Sequence, residues 1–222
     1  MATRNILRGD DPSLKKSSRV VTDFNKRLHI LLDDMRETLL EANGLGLAAP
    51  QVGVLRRAVL VVDTTIETED PGEQIIELIN PEIIARSGEQ TGNEGCLSIP
   101  GVYGIVTRPQ LVRVKAQDRF GAAFEVWGQE LKARALCHEI DHLNGVMFTE
   151  YTDQLLTEEE LEKLEAEKAE KAEKADTADS TDTAEKADTA VLKDTAESAG
   201  MSDSTDTAKT AGTGPPVGNS QV

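Results

Sequence analysis

Glu130-Leu131-Lys132-Ala133-Arg134-Ala135-Leu136-Cys137-His138-Glu139-Ile140-Asp141-His142-Leu143 reads as a single helix. Leu131, Ala135, His138 and His142 recur at three- to four-residue spacing along one side, and Asn144-Gly145 supplies the stop signal. Within it, His138-Glu139-Ile140-Asp141-His142 sets two imidazoles four residues apart on one face, where both can close on one metal ion. Glu139 then lies within reach of a water at that ion. The pattern is that of a metallohydrolase, but the same five residues also suit an exposed helix with two surface histidines. A third ligand, an oxyanion donor and a fold that joins them must come from elsewhere in the chain.

Working outward, the third ligand is found by elimination. A metallohydrolase with two helix-borne histidines usually takes one more protein ligand and leaves the fourth position for water. A histidine six residues after His142 would serve, but Phe148 stands there. Apart from Glu150, the later glutamates fall in the charged, repetitive sequence past residue 152, and His29 belongs to an early surface helix. Two cysteines remain. Cys137 follows Leu136 and precedes His138, so it points about 100 degrees away from the metal face. Cys96 lies in the Gly-rich bend Gly92-Asn93-Glu94-Gly95-Cys96-Leu97-Ser98-Ile99-Pro100-Gly101, where a thiolate can ligate zinc or iron(II).

Upstream, Arg4 to Arg19 has the character of an extended basic arm, broken at Pro12. A helix follows, capped by Thr22, with Phe24, Leu28, Leu31, Met35 and Leu39 at helical spacing and an end before Gly44. Gly44-Leu45-Gly46-Leu47-Ala48-Ala49-Pro50-Gln51-Val52-Gly53 is too poor in bulk to build a core, so backbone there must pass close to a strand or a ligand. Gln51 is its one polar side chain, a candidate hydrogen-bond donor. Strands are expected at Arg57 to Asp63, Ile75 to Asn80 and Glu82 to Ser87, and Leu111 to Gln117 pairs as a hairpin with Ala123 to Trp127.

The net charge of −16 is unevenly spread: residues up to Thr152 hold 17 basic and 22 acidic side chains, those beyond it 7 and 18. Without clustered cations the chain is not expected to bind nucleic acid directly. It has no apolar run of the roughly 18 residues that a membrane span needs. Two cysteines make no disulfide framework, and the start carries no targeting pattern, so a cytoplasmic location is expected. We divide the chain into a catalytic domain at 1–152, a charged helix at 153–175 and an acidic, low-complexity disordered tail at 176–222.

Three stretches together, Gly44 to Gln51, Glu94 to Ser98 and His138 to His142, resemble the three signature motifs of the bacterial-type peptide deformylases, in order, over about residues 5 to 152. The resemblance implies an α+β fold with antiparallel sheets packed around a central helix that carries the histidines. It implies hydrolysis of the N-formyl group from the formylmethionine of new polypeptides, releasing formate. It also assigns roles: Cys96, His138 and His142 as metal ligands, Glu139 as general acid and base, Gln51 and the Leu97 N–H as oxyanion donors. Gly46 would bond the substrate backbone, Leu45 and Leu131 would line the methionine pocket, and Arg108 would stand near the site entrance, while Tyr103 occupies a place where some members have arginine. The implied cofactor is one divalent metal, iron(II), with zinc, nickel or cobalt as substitutes. The implied partners are N-formylmethionyl peptides, in transient proximity to the ribosome, and the acidic tail argues against ribosome binding through residues 153 to 222. Two rivals share the pentapeptide: a peptidase cutting internal bonds, and a non-catalytic protein stapled by metal. Gln51 and Glu139 count against the second, because a structural site requires neither.

Overall fold

The structure, a computed structural model, describes residues 2–169. In chain order its elements are α1 (Lys26–Glu41), β1 (Gly46–Ala48), β2 (Ala58–Val62), β3 (Ile75–Ser87), β4 (Gln90–Cys96), β5 (Ile99–Arg108), β6 (Leu111–Gln117), β7 (Ala123–Gln129), α2 (Glu130–Leu143) and β8 (Leu155–Thr157), followed by helical residues 158–169. All strand pairs in the two sheets are antiparallel: one runs β1-β2-β3-β6-β7, the other β4-β5-β8. The class is therefore α+β, as the motifs imply.

The apolar run of β2 decides how the layers stack. Alternate strand residues face opposite sides of a sheet. Ala58 and Leu60 join Leu28, Leu32, Met35 and Leu39 of α1 in one core, whereas Val59 and Val61 join Ala133, Leu136, Ile140 and Leu143 of α2 in another. The sheet thus carries one helix on each side, which is why β2 reads as continuously apolar rather than alternating. Against the other sheet, Leu14, Cys96, Val106, Met147 and Phe148 form a third cluster. The basic arm is accordingly packed rather than free: Leu14 is wholly buried, Arg4 binds Asp34, and Ser18 N–H donates to the Leu143 carbonyl.

Several boundaries differ from expectation. Helix α1 starts three residues late, because the Asn25 side chain, not Thr22, accepts from the Arg27 and Leu28 N–H groups. The two segments expected between Ile75 and Ser87 form one strand, in which the irregular register after Ile79 accommodates Pro81 without a ladder hydrogen bond. The Gly-rich bend around Cys96 is instead a hairpin, β4 paired with β5 from Gln90 to Cys96. Pairing with an apolar strand overrode the weak strand preference of its Gly and Asn residues. Leu155 and Leu156, expected on a helix, form strand β8 against Val102 to Gly104, and the helix begins only afterwards. The expectations for residues 170–222 lie outside the described residues.

Candidate active site and metal centre

Helix α2 spans the range its pattern indicated, and the structure closes it with Asn144 at the cap and Gly145 at φ 76. A side chain at Gly145 would also meet the Lys15 backbone at 2.6 Å. The helix buries His138, Glu139 and His142, so the two histidines are not surface groups. Strand β4 brings Cys96 to them: one ligand atom from each of Cys96, His138 and His142 lies within 4.8 Å of the others, with Cys96 Sγ 3.3 Å from His142 Nε2. A thiolate and two imidazoles make a donor set suited to a divalent transition metal, and their mutual spacing fits one. Cys137 packs in the apolar core between α2 and the sheet, where burial pushes its thiol up to about 11, so it is no ligand. Phe148, the residue that fails to extend the histidine motif, stacks its ring on His138 at 6.0 Å.

Behind the ligands lies a set of buried charges. Glu94 Oε2 accepts from His138 Nδ1 at 3.0 Å, which turns Nε2 toward the cluster. Arg108 donates Nε and Nη2 to Glu94 at 2.8 and 3.0 Å and Nη1 to Asp141 at 2.6 Å, and Arg134 donates to Glu94 at 3.0 Å. Burial works against the Glu94 charge, but the bonds from His138 and Arg108 outweigh it and hold the carboxyl at about 2. Burial likewise opposes charge on His138, yet its bonds to Cys96 and Glu94 raise it to about 10, while burial and the neighbouring His138 hold His142 well below the usual imidazole range. Thiolate and neutral imidazole are the forms that ligate a metal, so binding at this cluster is coupled to pH.

A cleft of about 460 Å3 opens in front, and Leu45, Gly46, Gln51, Leu97, Leu131 and Tyr103 line it together with Cys96, His138 and Glu139. Gln51 sits in the short turn Ala49–Val52, where its Oε1 accepts from Ala48 N–H at 2.8 Å. That bond fixes the amide, so Nε2 must face the cluster; it lies 3.5 Å from Cys96 Sγ and 3.3 Å from Ser98 Oγ. Leu97 occupies the β4–β5 turn beside the ligand cysteine. Glu139 is buried with Oε2 lacking any partner in the protein. Burial, helped by Glu94 and Asp141 and opposed by His138, pushes its carboxyl up to about 7, near the range where a general base works best. Gly46 is needed for this packing: a methyl group there would stand 2.5 Å from Glu139 Oε1.

The structure thus brings Leu45, Gly46, Gln51, Cys96, Leu97, Leu131, His138, Glu139 and His142 together. Arg108 is the exception. It is 5% exposed, turned into the Glu94 and Asp141 carboxylates and against the Tyr151 ring, so it cannot stand at an entrance. Glu94 and Arg134 were passed over in the sequence, although signals existed. Glu94 lies two residues before Cys96 on a strand, and Arg134 lies one helical turn before His138.

The chain is similar to known proteins in sequence and in fold. The family profile for polypeptide deformylase matches residues 3–158. A relative from Alkaliphilus metalliredigens named peptide deformylase is 55% identical over 150 residues, 68% of this chain and 97% of its own length. Another of that name from Caldicellulosiruptor bescii is 53% identical over 163 residues, 73% of this chain and 93% of its own. The crystal structure of a peptide deformylase from Legionella pneumophila superposes with a TM-score of 0.63 at 39% identity, covering 76% of this chain and 98% of that one. Sequence and fold agree: the chain belongs to the polypeptide deformylase family and is an enzyme of that class.

Proposed function

We propose that the cleft hydrolyses the N-formyl group of N-terminal formylmethionine in newly made polypeptides, releasing formate and a free amine. The single observation that carries this reading is the convergence of Cys96, His138 and His142 below a cleft that also holds the Gln51 amide and the unpartnered Glu139 carboxyl. Cys96 Sγ and one ring nitrogen of each histidine would hold a single divalent ion, iron(II) in the cell, with zinc, nickel or cobalt able to substitute. Such an ion supplies Lewis acidity, making water acidic near neutral pH and polarising a carbonyl oxygen.

The chain's own residues do the rest. Glu139 takes a proton from the attacking water and returns it to the leaving amine. Gln51 Nε2 and the Leu97 N–H donate to the oxyanion as it forms, each worth about 3 kcal/mol. Gly46 bonds the peptide backbone, and Leu45 and Leu131 hold the methionine side chain. A formyl carbon bears only hydrogen beside its oxygen and nitrogen, so a tight pocket admits it and rejects acetyl. A relative from Acinetobacter baumannii, 33% identical with a TM-score of 0.62 over 68% of this chain and 98% of its own, was solved with Met-Ala-Ser bound, in keeping with a peptide in such a cleft. The family match favours this reading over an internal peptidase or a structural metal staple. Substrates of this kind place the chain near the ribosome in the cytoplasm. Both cysteines are free, and no helix among the described residues is long and apolar enough to cross a membrane.

The test is formate release from a formyl-Met peptide by anaerobically purified chain, with metal content measured on the same sample. Glu139→Gln should keep its metal and lose activity by about 100-fold or more. Undiminished activity in that variant would remove Glu139 from the mechanism.

A further inference from the structure

A second groove, of about 430 Å3, opens at the C-terminal end of α2 and shares no lining residue with the cleft. Its walls include Val20 of the N-terminal arm, Arg57, Glu82, Arg86, Asp141 and Asn144. Arg57 differs from its peers. Arg4, Arg36, Arg108, Arg113, Arg119 and Arg134, the other described arginines that are not exposed, each meet a carboxylate at ion-pair distance. Half-buried Arg57 meets none among the described residues. Its Nη1 donates to Asn144 Oδ1 at 2.9 Å and its Nη2 to the Pro81 carbonyl at 3.2 Å, both neutral acceptors. Burial lowers its pKa, with the Glu82 carboxylate acting in the opposite direction through space.

A cation that has left bulk water without a matching anion is unfavourable, and such a group recruits one where it can. The remaining donors of Arg57, Nε–H and one N–H on each terminal nitrogen, form a fork suited to two oxygens of one anion. Arg86 supplies a second guanidinium on the same wall. Because Asn144 spends its Oδ1 on Arg57, its NH2 group is left as a further donor. Of the two carboxylates in the wall, Asp141 is already bound to Arg108, so the groove carries a surplus of positive charge.

We infer that this groove is an oxyanion-binding site, which takes a phosphate or carboxylate group between Arg57 and Arg86 with the Asn144 amide as a third donor. The occupant sits beside the end of α2 and leaves the cleft open.

The zinc-loaded, 15N-labelled full chain, titrated at constant ionic strength with inorganic phosphate or with acetate against a chloride reference, tests this by NMR. The expected result is a saturating shift of the Arg57 Nε–H and Asn144 side-chain amide signals in at least one arm, and the arm that saturates identifies the oxyanion. Arg86→Gln, an exposed change, should weaken binding by about threefold or more, and Arg57→Gln should abolish it. If Arg57→Gln fails to fold, Arg86→Gln decides. Shifts that never saturate, or that are the same in Arg86→Gln as in the parent chain, overturn the site.

Discussion

At the scale of single residues, the site depends on small groups held by larger ones. Gly46 has no side chain because Glu139 lies against its Cα, and Gly46→Ala would push the carboxyl out of place. The expected outcome is a fall in kcat for deformylation with the thermal midpoint little changed, read by formate release and a melting curve; an unchanged kcat would mean that Glu139 tolerates the shift. Glu94 has the opposite character, a buried charge on which His138, Arg108 and Arg134 all converge. Glu94→Ala leaves the Arg134 guanidinium without a carboxylate in the interior and Arg108 with Asp141 alone, a loss of about 3–5 kcal/mol. It also frees the His138 ring, for which about 10-fold weaker metal retention is expected. Chemical unfolding and a competing chelator measure the two effects separately.

At the scale of elements, α1 and α2 show how local chemistry sets boundaries. Asn25 accepts two of the free N–H groups at the start of α1, and Asn25→Ala should cost about 1 kcal/mol in urea unfolding, whereas Thr22→Ala should cost nearly nothing. The range of α2 was legible residue by residue, since its apolar spacing, Asn144 cap and left-handed Gly145 are all local signals. The β4–β5 hairpin was not legible. Gln90-Thr91-Gly92-Asn93-Glu94-Gly95-Cys96 has little strand preference of its own and becomes a strand only because β5 pairs with it along its length.

For the whole molecule, charge pairs between distant segments tie the layers together. Glu77 of β3 accepts from Arg36 of α1 and from Arg119 of the β6–β7 turn, and Arg119 also reaches Asp33. Burial alone would raise the Glu77 pKa, but the bonds from Arg119 and Arg36 outweigh it and hold it below the ordinary 4.5. A carboxylate whose folded pKa is depressed stabilises the fold above its unfolded value and loses that contribution as pH falls through the folded value. Glu77→Gln should therefore be less stable than the parent at about pH 7, with the difference shrinking toward about pH 3. Urea unfolding at both pH values checks the sign, and a difference that persists in acid would contradict the assignment.

Sequence by itself determined which residues could hold a metal, that Cys96 rather than Cys137 completes the set, and that Glu139 lies within reach of a water at the ion. Those conclusions rest on residue types and on helical spacing, which are local properties, whereas the role of Gln51 came from the resemblance of the three motifs. Tertiary structure decided what depends on partners far along the chain. It turned Arg108 away from the cleft and into Glu94 and Asp141, put the Phe148 ring against His138, and left Arg57 with neutral acceptors only. A charged side chain takes its role from the groups that surround it after folding, and no local pattern specifies those groups.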